Sequence, residues 1–319
     1  MKKFVVFLIF VSGAMFFGCK KGSKAGISIY SGKVLVRGTE GIGGSPKFYL
    51  VDITDASTLD TVHLENAAYV SMYRDISFNG SLIAYSPKPG PLSVNGPIIL
   101  IKPDGSFVDS LHPDTTDGKY WGGCAISPDG DMVAYPIQRS DGSFDIRAFK
   151  KTGSGWKDTL LFSGTYYYSG NAPIVFSHDG KKLLVGTISY GPLLWELDIS
   201  TGSGNLIKAH GDTLPGYFGS WWYFYSYDDS KIIFEYDDPR SNEEEKVMVI
   251  NCDGTGLEIL YEGTLVNTPC SMPDGKIVFV GIGAQTYSVH VMNPDGSDLH
   301  EVPNFPQDFW CYGLVAPLK

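Results

Sequence analysis

Six histidines are the residues of this 319-residue chain best suited to proton transfer, and their placement limits any catalytic reading. His63, His112, His178, His210, His290 and His300 are scattered, and no pair has the spacing of a metal-binding motif. His178 takes the place of a turn proline, and His290 alternates with valines along a strand, so both read as structural. His112 and His210 fall in loops where an imidazole has the right chemistry for acid–base work. Glu65, Asp114, Asp117, Asp212 and Asp308 lie in similar loops, and two carboxylates across a cleft would suit glycoside hydrolysis, but no spacing selects a pair. There is no Gly-x-Ser-x-Gly elbow and no phosphate-binding loop. No catalytic residue is assigned, and neither a metal nor a cofactor is expected.

Binding chemistry is better represented. The chain holds 19 Tyr, 18 Phe and 6 Trp against only 19% charged residues, too aromatic and too weakly charged for a disordered polymer. The rings concentrate in long loops near 64–72, 111–122, 161–172, 209–221, 261–268 and 303–311. The candidate contact residues there are Tyr120, Trp121, Tyr166, Tyr167, Tyr168, Tyr217, Phe218, Trp221, Phe309 and Trp310, with Trp222 just beyond. Aromatic side chains at a wet rim offer rigid apolar area with a hydrogen-bonding tip, which suits a peptide, a glycan or a protein surface. Arg139 and Arg240, in neighbouring Gly/Pro/Ser-rich loops, are candidate anchors for an anionic group. The competing reading is that the rings wedge between structural elements or plug a central channel. A net charge of −10 and a pI near 5.0 exclude a general nucleic-acid binder.

The elements that would carry these loops show up as a repeat. A turn followed by an apolar strand recurs as SFNGSLIAYS (77–86), SPDGDMVAYP (127–136), SHDGKKLLVG (177–186), SYDDSKIIFE (226–235) and MPDGKIVFVG (272–281). The central strand residues Ile83, Val133, Leu184, Ile233 and Val278 are 50, 51, 49 and 45 residues apart. A second turn follows about twenty residues later, in IILIKPDGS (98–106), VMVINCDGTG (247–256) and VHVMNPDGSD (289–298). Asp-Gly suits such reversals because glycine accepts positive φ and the Asp side chain closes the turn. Four strands per unit at this period indicate a propeller blade.

The paired Ser-Pro-Asp-Gly and Asn-Pro-Asp-Gly-Ser turns, recurring in phase over residues 31–319, resemble the TolB-type repeat. That resemblance implies an all-β fold, a six-bladed β-propeller with four-stranded antiparallel blades. TolB proteins carry an additional N-terminal domain, for which this chain leaves no room, so identity with TolB is not expected. The chain ends on FWCYGLVAPLK (309–319), an innermost strand without its blade, while residues 31–36 look like a second strand lacking a first. We therefore expect Tyr312–Ala316 to pair with Lys33–Arg37 and close the ring in blade one.

Residues 1–18 read as a secretory signal: Lys2 and Lys3, then an apolar run to Phe17. Gly18-Cys19 resembles the end of a bacterial lipobox, which makes Cys19 the lipidation site and residues 19–30 a tether. Losing two lysines and no acids with the signal takes the net charge from −10 to −12, so the membrane would be held through the lipid alone. The remaining Cys124, Cys252, Cys270 and Cys311 show no framework spacing and read as mostly buried free thiols. The expected protein is a monomeric, non-catalytic binding or scaffold lipoprotein of the bacterial envelope. Its ligand would be a protein, peptide or glycan. The alternative is a carbohydrate-active enzyme, a polysaccharide lyase or glycoside hydrolase, working at the same mouth.

Overall fold

The structure, a computed structural model, describes residues 32–40, 45–66, 70, 75–88, 94–164, 173–188, 192–207, 222–237, 245–282, 287–306 and 309–318. All regular elements among them are strands, in six antiparallel sheets. Blade 1 contains β1 (Lys33–Glu40), β2 (Lys47–Asp52) and β3 (Leu59–Val62), with β25 (Phe309–Val315) innermost. Blade 2 is β4 (Ile76–Phe78), β5 (Ile83–Tyr85), β6 (Ile98–Ile101) and β7 (Phe107–Leu111). Blade 3 contains β8 (Gly118–Lys119), β9 (Ala125–Ile126), β10 (Met132–Arg139), β11 (Phe144–Thr152) and β12 (Gly155–Gly164). Blade 4 runs through β13 (Ile174–Phe176), β14 (Lys182–Ile188), β15 (Pro192–Asp198) and β16 (Gly204–Ile207). Blade 5 is β17 (Tyr223–Tyr225), β18 (Lys231–Asp237), β19 (Glu245–Asn251) and β20 (Glu258–Gly263). Blade 6 is β21 (Val266–Ser271), β22 (Ile277–Ile282), β23 (Tyr287–Met292) and β24 (His300–Glu301).

The ring closes as the sequence predicts. β25 lies antiparallel to β1 with Leu35 opposite Val315 and Arg37 opposite Gly313, then shifts register once before Gly38. Innermost strands touch in an unbroken circle, β25 to β4, β9, β13, β17, β21 and back to β25. Each seam between blades is a separate apolar cluster, because both faces of a blade are buried against neighbours.

Local chemistry explains the turns. In the outer hairpins the Oδ1 atoms of Asp104, Asp253 and Asp295 accept the N–H groups of Ser106, Thr255 and Ser297 at 2.9, 2.9 and 3.0 Å. The glycines that follow these aspartates sit at φ of 83°, 85° and 81°. In the inner hairpins Ser127, Ser177 and Ser226 donate to Asp129, Asp179 and Asp228 and accept the N–H of Met132, Lys182 and Lys231. Blade 5 departs from the pattern, with Asp229 at φ 57° where other blades have glycine. Its carboxylate accepts the N–H groups of His178 and Asp179 in blade 4 and meets the His178 imidazole at 3.0 Å. His178 is therefore part of a seam between blades.

Ile76, Phe78, Ile174, Phe176, Phe224, Val315 and Leu318 line a small cavity among the innermost strands, and Leu318 also packs against the blade 3–4 cluster. Cys124, Cys270 and Cys311 are buried and Cys252 partly so, all as free thiols. Burial pushes the Cys252 and Cys311 thiols up to about 12, which leaves them protonated and unreactive at neutral pH.

Candidate functional site

Among the described residues of the long-loop face, the innermost strand of blade 3 is broken. Two short pieces, β8 and β9, both pair with β10, at Gln138–Arg139 and Val133–Ala134 respectively. Between them the chain bulges through Gly122 and Gly123, at φ 96° and 94°, and carries Trp121 outward. A Cβ on Gly122 would lie 2.5 Å from Asp75 Oδ1 and 2.7 Å from Lys88 Nζ, so the bulge requires glycine for space as well as for φ.

That space holds a buried ion pair. Lys88 Nζ lies 3.1 Å from Asp75 Oδ1, with side chains 3% and 0% exposed, and donates to the Trp121 carbonyl at 2.7 Å. The Trp121 indole N–H donates to Gln138 Oε1 at 2.8 Å, and Lys119 Nζ stands 5.8 Å from the ring centroid. Trp121 is thus a half-buried ring fixed at backbone and side chain, next to a cation. A charged pair removed from water is costly unless its geometry is held, and here it anchors the loop that presents the tryptophan.

In blade 1 Trp310, also half-buried, meets Tyr287 of blade 6 edge-on at 5.3 Å. Tyr312, 42% exposed, shares a 3.3 Å hydrogen bond with Thr39 Oγ1. Three other expected contact residues are structural. Tyr120 is fully buried, donates to the Gly123 carbonyl at 3.2 Å and packs on Tyr135 in the blade 2–3 seam. Phe309 is fully buried against Tyr49 and Phe305 in the blade 6–1 seam. Trp222, 4% exposed, reaches from the start of blade 5 into the cluster containing Val70, Ile76 and Val315, and so plugs the ring. These three cannot greet a ligand from solvent; for them the wedge-and-plug reading is the correct one.

Arg139 is engaged within its own blade. Its guanidinium donates through Nε and Nη2 to the two oxygens of Asp145, at 3.0 and 2.5 Å, and Nη2 donates to Ser163 as well. The hydrogen bond to Asp145 holds its pKa above the ordinary value, and its charge is already matched. Tyr166, Tyr167, Tyr168, Tyr217, Phe218, Trp221, Arg240, His210 and Cys19 lie outside the described residues. His112 has its Nε2 3.4 Å from Ser110 Oγ on the exposed start of a loop. Among the described residues no three His, Cys, Asp or Glu side chains converge. Sequence reasoning did not select Asp75, Lys88, Gly122 or Gln138. Only the Gly122-Gly123 pair carried a local signal, since consecutive glycines mark a strained bend.

No family model matches the chain, and no curated protein matches it. Similar solved structures are propellers. TolB from Acinetobacter baumannii is 17% identical with a TM-score of 0.61, the match covering 90% of this chain and 67% of that one. A putative TolB from Agrobacterium tumefaciens is 17% identical at TM-score 0.52, covering 88% and 97%. Oligogalacturonate lyase from Vibrio parahaemolyticus is 10% identical at TM-score 0.52, covering 86% and 82%. At these identities the likeness establishes the TolB-like six-bladed fold and nothing finer.

Proposed function

We propose that this chain is a non-catalytic binding module, docking a protein, peptide or glycan on its long-loop face. The observation that carries the reading is Trp121, an accessible ring whose position is fixed by a buried ion pair and a glycine bulge. Rigid aromatics lose little entropy on contact and bury large area, the properties of an interface anchor. Trp310, Tyr312 and the loop aromatics Tyr166 to Tyr168, Tyr217, Phe218 and Trp221 would complete the surface, with Arg240 as its basic element. Cys19 would carry a lipid and residues 19–30 would tether a monomeric propeller to the bacterial envelope.

The test compares the propeller with a W121A/W221A/W310A variant in affinity capture from an envelope extract. Loss of partners by a variant that melts normally supports the reading, and equal recovery counts against it. Cleavage of charged polysaccharides by the wild type, assayed with and without chelator, would replace binding with the enzymatic alternative. For the anchor, C19S should move the full chain from the membrane fraction to the soluble one.

A further inference from the structure

Away from the mouth, the seam between blades 1 and 2 opens into a cleft of about 700 Å³. One wall is the face of blade 2, with Tyr85, Ile99, Ile101 and Phe107 in order from inner to outer strand; the other holds His63 and Glu65 from the segment after β3. β3, on the blade 1 side, is four residues long, and the chain then turns away. Asn66, at φ 52°, makes that turn, and its carbonyl accepts the Lys88 N–H at 2.8 Å. Blade 1 packs Leu50, Val62 and Leu64 into one cluster with Ile101 of β6, but among the described residues Phe107 farther out is left 67% exposed. In the next seam the matching residue, Trp156 at the start of β12, is seated against blade 2 through a 3.0 Å bond to Asp109.

We propose that this cleft binds a small organic cation with a flat or branched apolar body. The volume is in the range of organic-ligand sites, and the walls are mostly apolar with few polar groups, the usual make-up of such sites. Glu65 supplies an anionic group on the lining, and among the described residues no Lys or Arg lines the cleft. The protein as a whole is acidic, so its long-range field also favours a cation over an anion. The apolar body would lie on Ile99, Ile101 and Phe107, and the cationic group at Glu65.

Tryptamine is the probe and 3-indolepropionate its anionic counterpart of similar shape; binding is read by calorimetry and by ligand-observed saturation-transfer NMR on the propeller. Tryptamine should bind saturably and at least tenfold more tightly than the acid. Glu65→Gln should erase that preference, and Phe107→Ser, at an exposed position that folding tolerates, should weaken tryptamine at least fivefold. Trp121→Ala should leave it unchanged. Absent saturable binding, equal affinity for amine and acid, an unaltered Glu65→Gln variant, or loss of binding in Trp121→Ala would each overturn the assignment.

Discussion

The seams on either side of blade 2 are built from the same kind of repeat and reach opposite outcomes. Between blades 2 and 3, Tyr120 meets Tyr135 edge-on and Tyr135 stacks on Phe149, Trp156 covers the outside, and the Lys88–Asp75 pair pins the top. Between blades 1 and 2 the inner half is just as dry, around Leu35, Ile76 and Ile83, but farther out a cleft opens. The difference lies in the outermost strands. Trp156 on β12 finds Asp109 across the seam, whereas its counterpart Phe107 on β7 remains 67% exposed. Propeller geometry guarantees contact near the axis, where blades converge. Farther out, sealing depends on individual side chains.

Removing residues 309–319 should have the largest effect, since it takes the innermost strand from blade 1 and opens the seams on both sides of it. Cooperative thermal unfolding should disappear; a truncated chain that melts like the full one would refute closure by β25. Lys88→Met comes next. Removing the cation beside the buried Asp75 carboxylate should cost about 3–5 kcal/mol in urea unfolding, and combining the change with Asp75→Leu should recover a good part. Third is the direct contrast between the seams. Trp156→Ala should cost about 2–3 kcal/mol, while Phe107→Ala should stay within about 0.5 kcal/mol. Equal losses would mean that the two positions are not differently seated.

The smallest effect is a pH dependence in the blade 5–6 seam, a third closed seam against which the open one can be judged. His290 stacks on Phe279 at 5.4 Å, and burial lowers its pKa from 6.5. The unfolded chain therefore binds the proton more readily, so this contribution is complete above about pH 6.5 and is lost as pH falls toward the lower folded value. The slope should not exceed about 1.4 kcal/mol per pH unit, the limit for one proton. His290→Gln should flatten the stability profile below pH 6.5, and an unchanged profile would show that the ring is not desolvated.

Much of the fold was legible because its signals are local. Asp-Gly turns and alternating strands depend on neighbours within a few residues, and their 50-residue phase revealed the blades before any contact was known. Even the closure was readable, because two incomplete blades at the termini complement each other. The mouth was only half legible. Tyr120, Trp121 and Trp222 share a loop context and a residue class, yet one lies in a seam, one is half-buried at the rim and one fills the channel. Which way a ring points depends on a bulge and on neighbours some 35 to 150 residues away.

By itself, then, the amino-acid sequence determined the architecture: turn chemistry and strand periodicity repeat six times, and each is encoded by a handful of adjacent residues. The tertiary structure alone decided which aromatics meet solvent, where Lys88 finds Asp75 and which seam stays open. Those outcomes turn on desolvation and side-chain packing between blades, and these act across the ring between residues that the sequence does not place side by side.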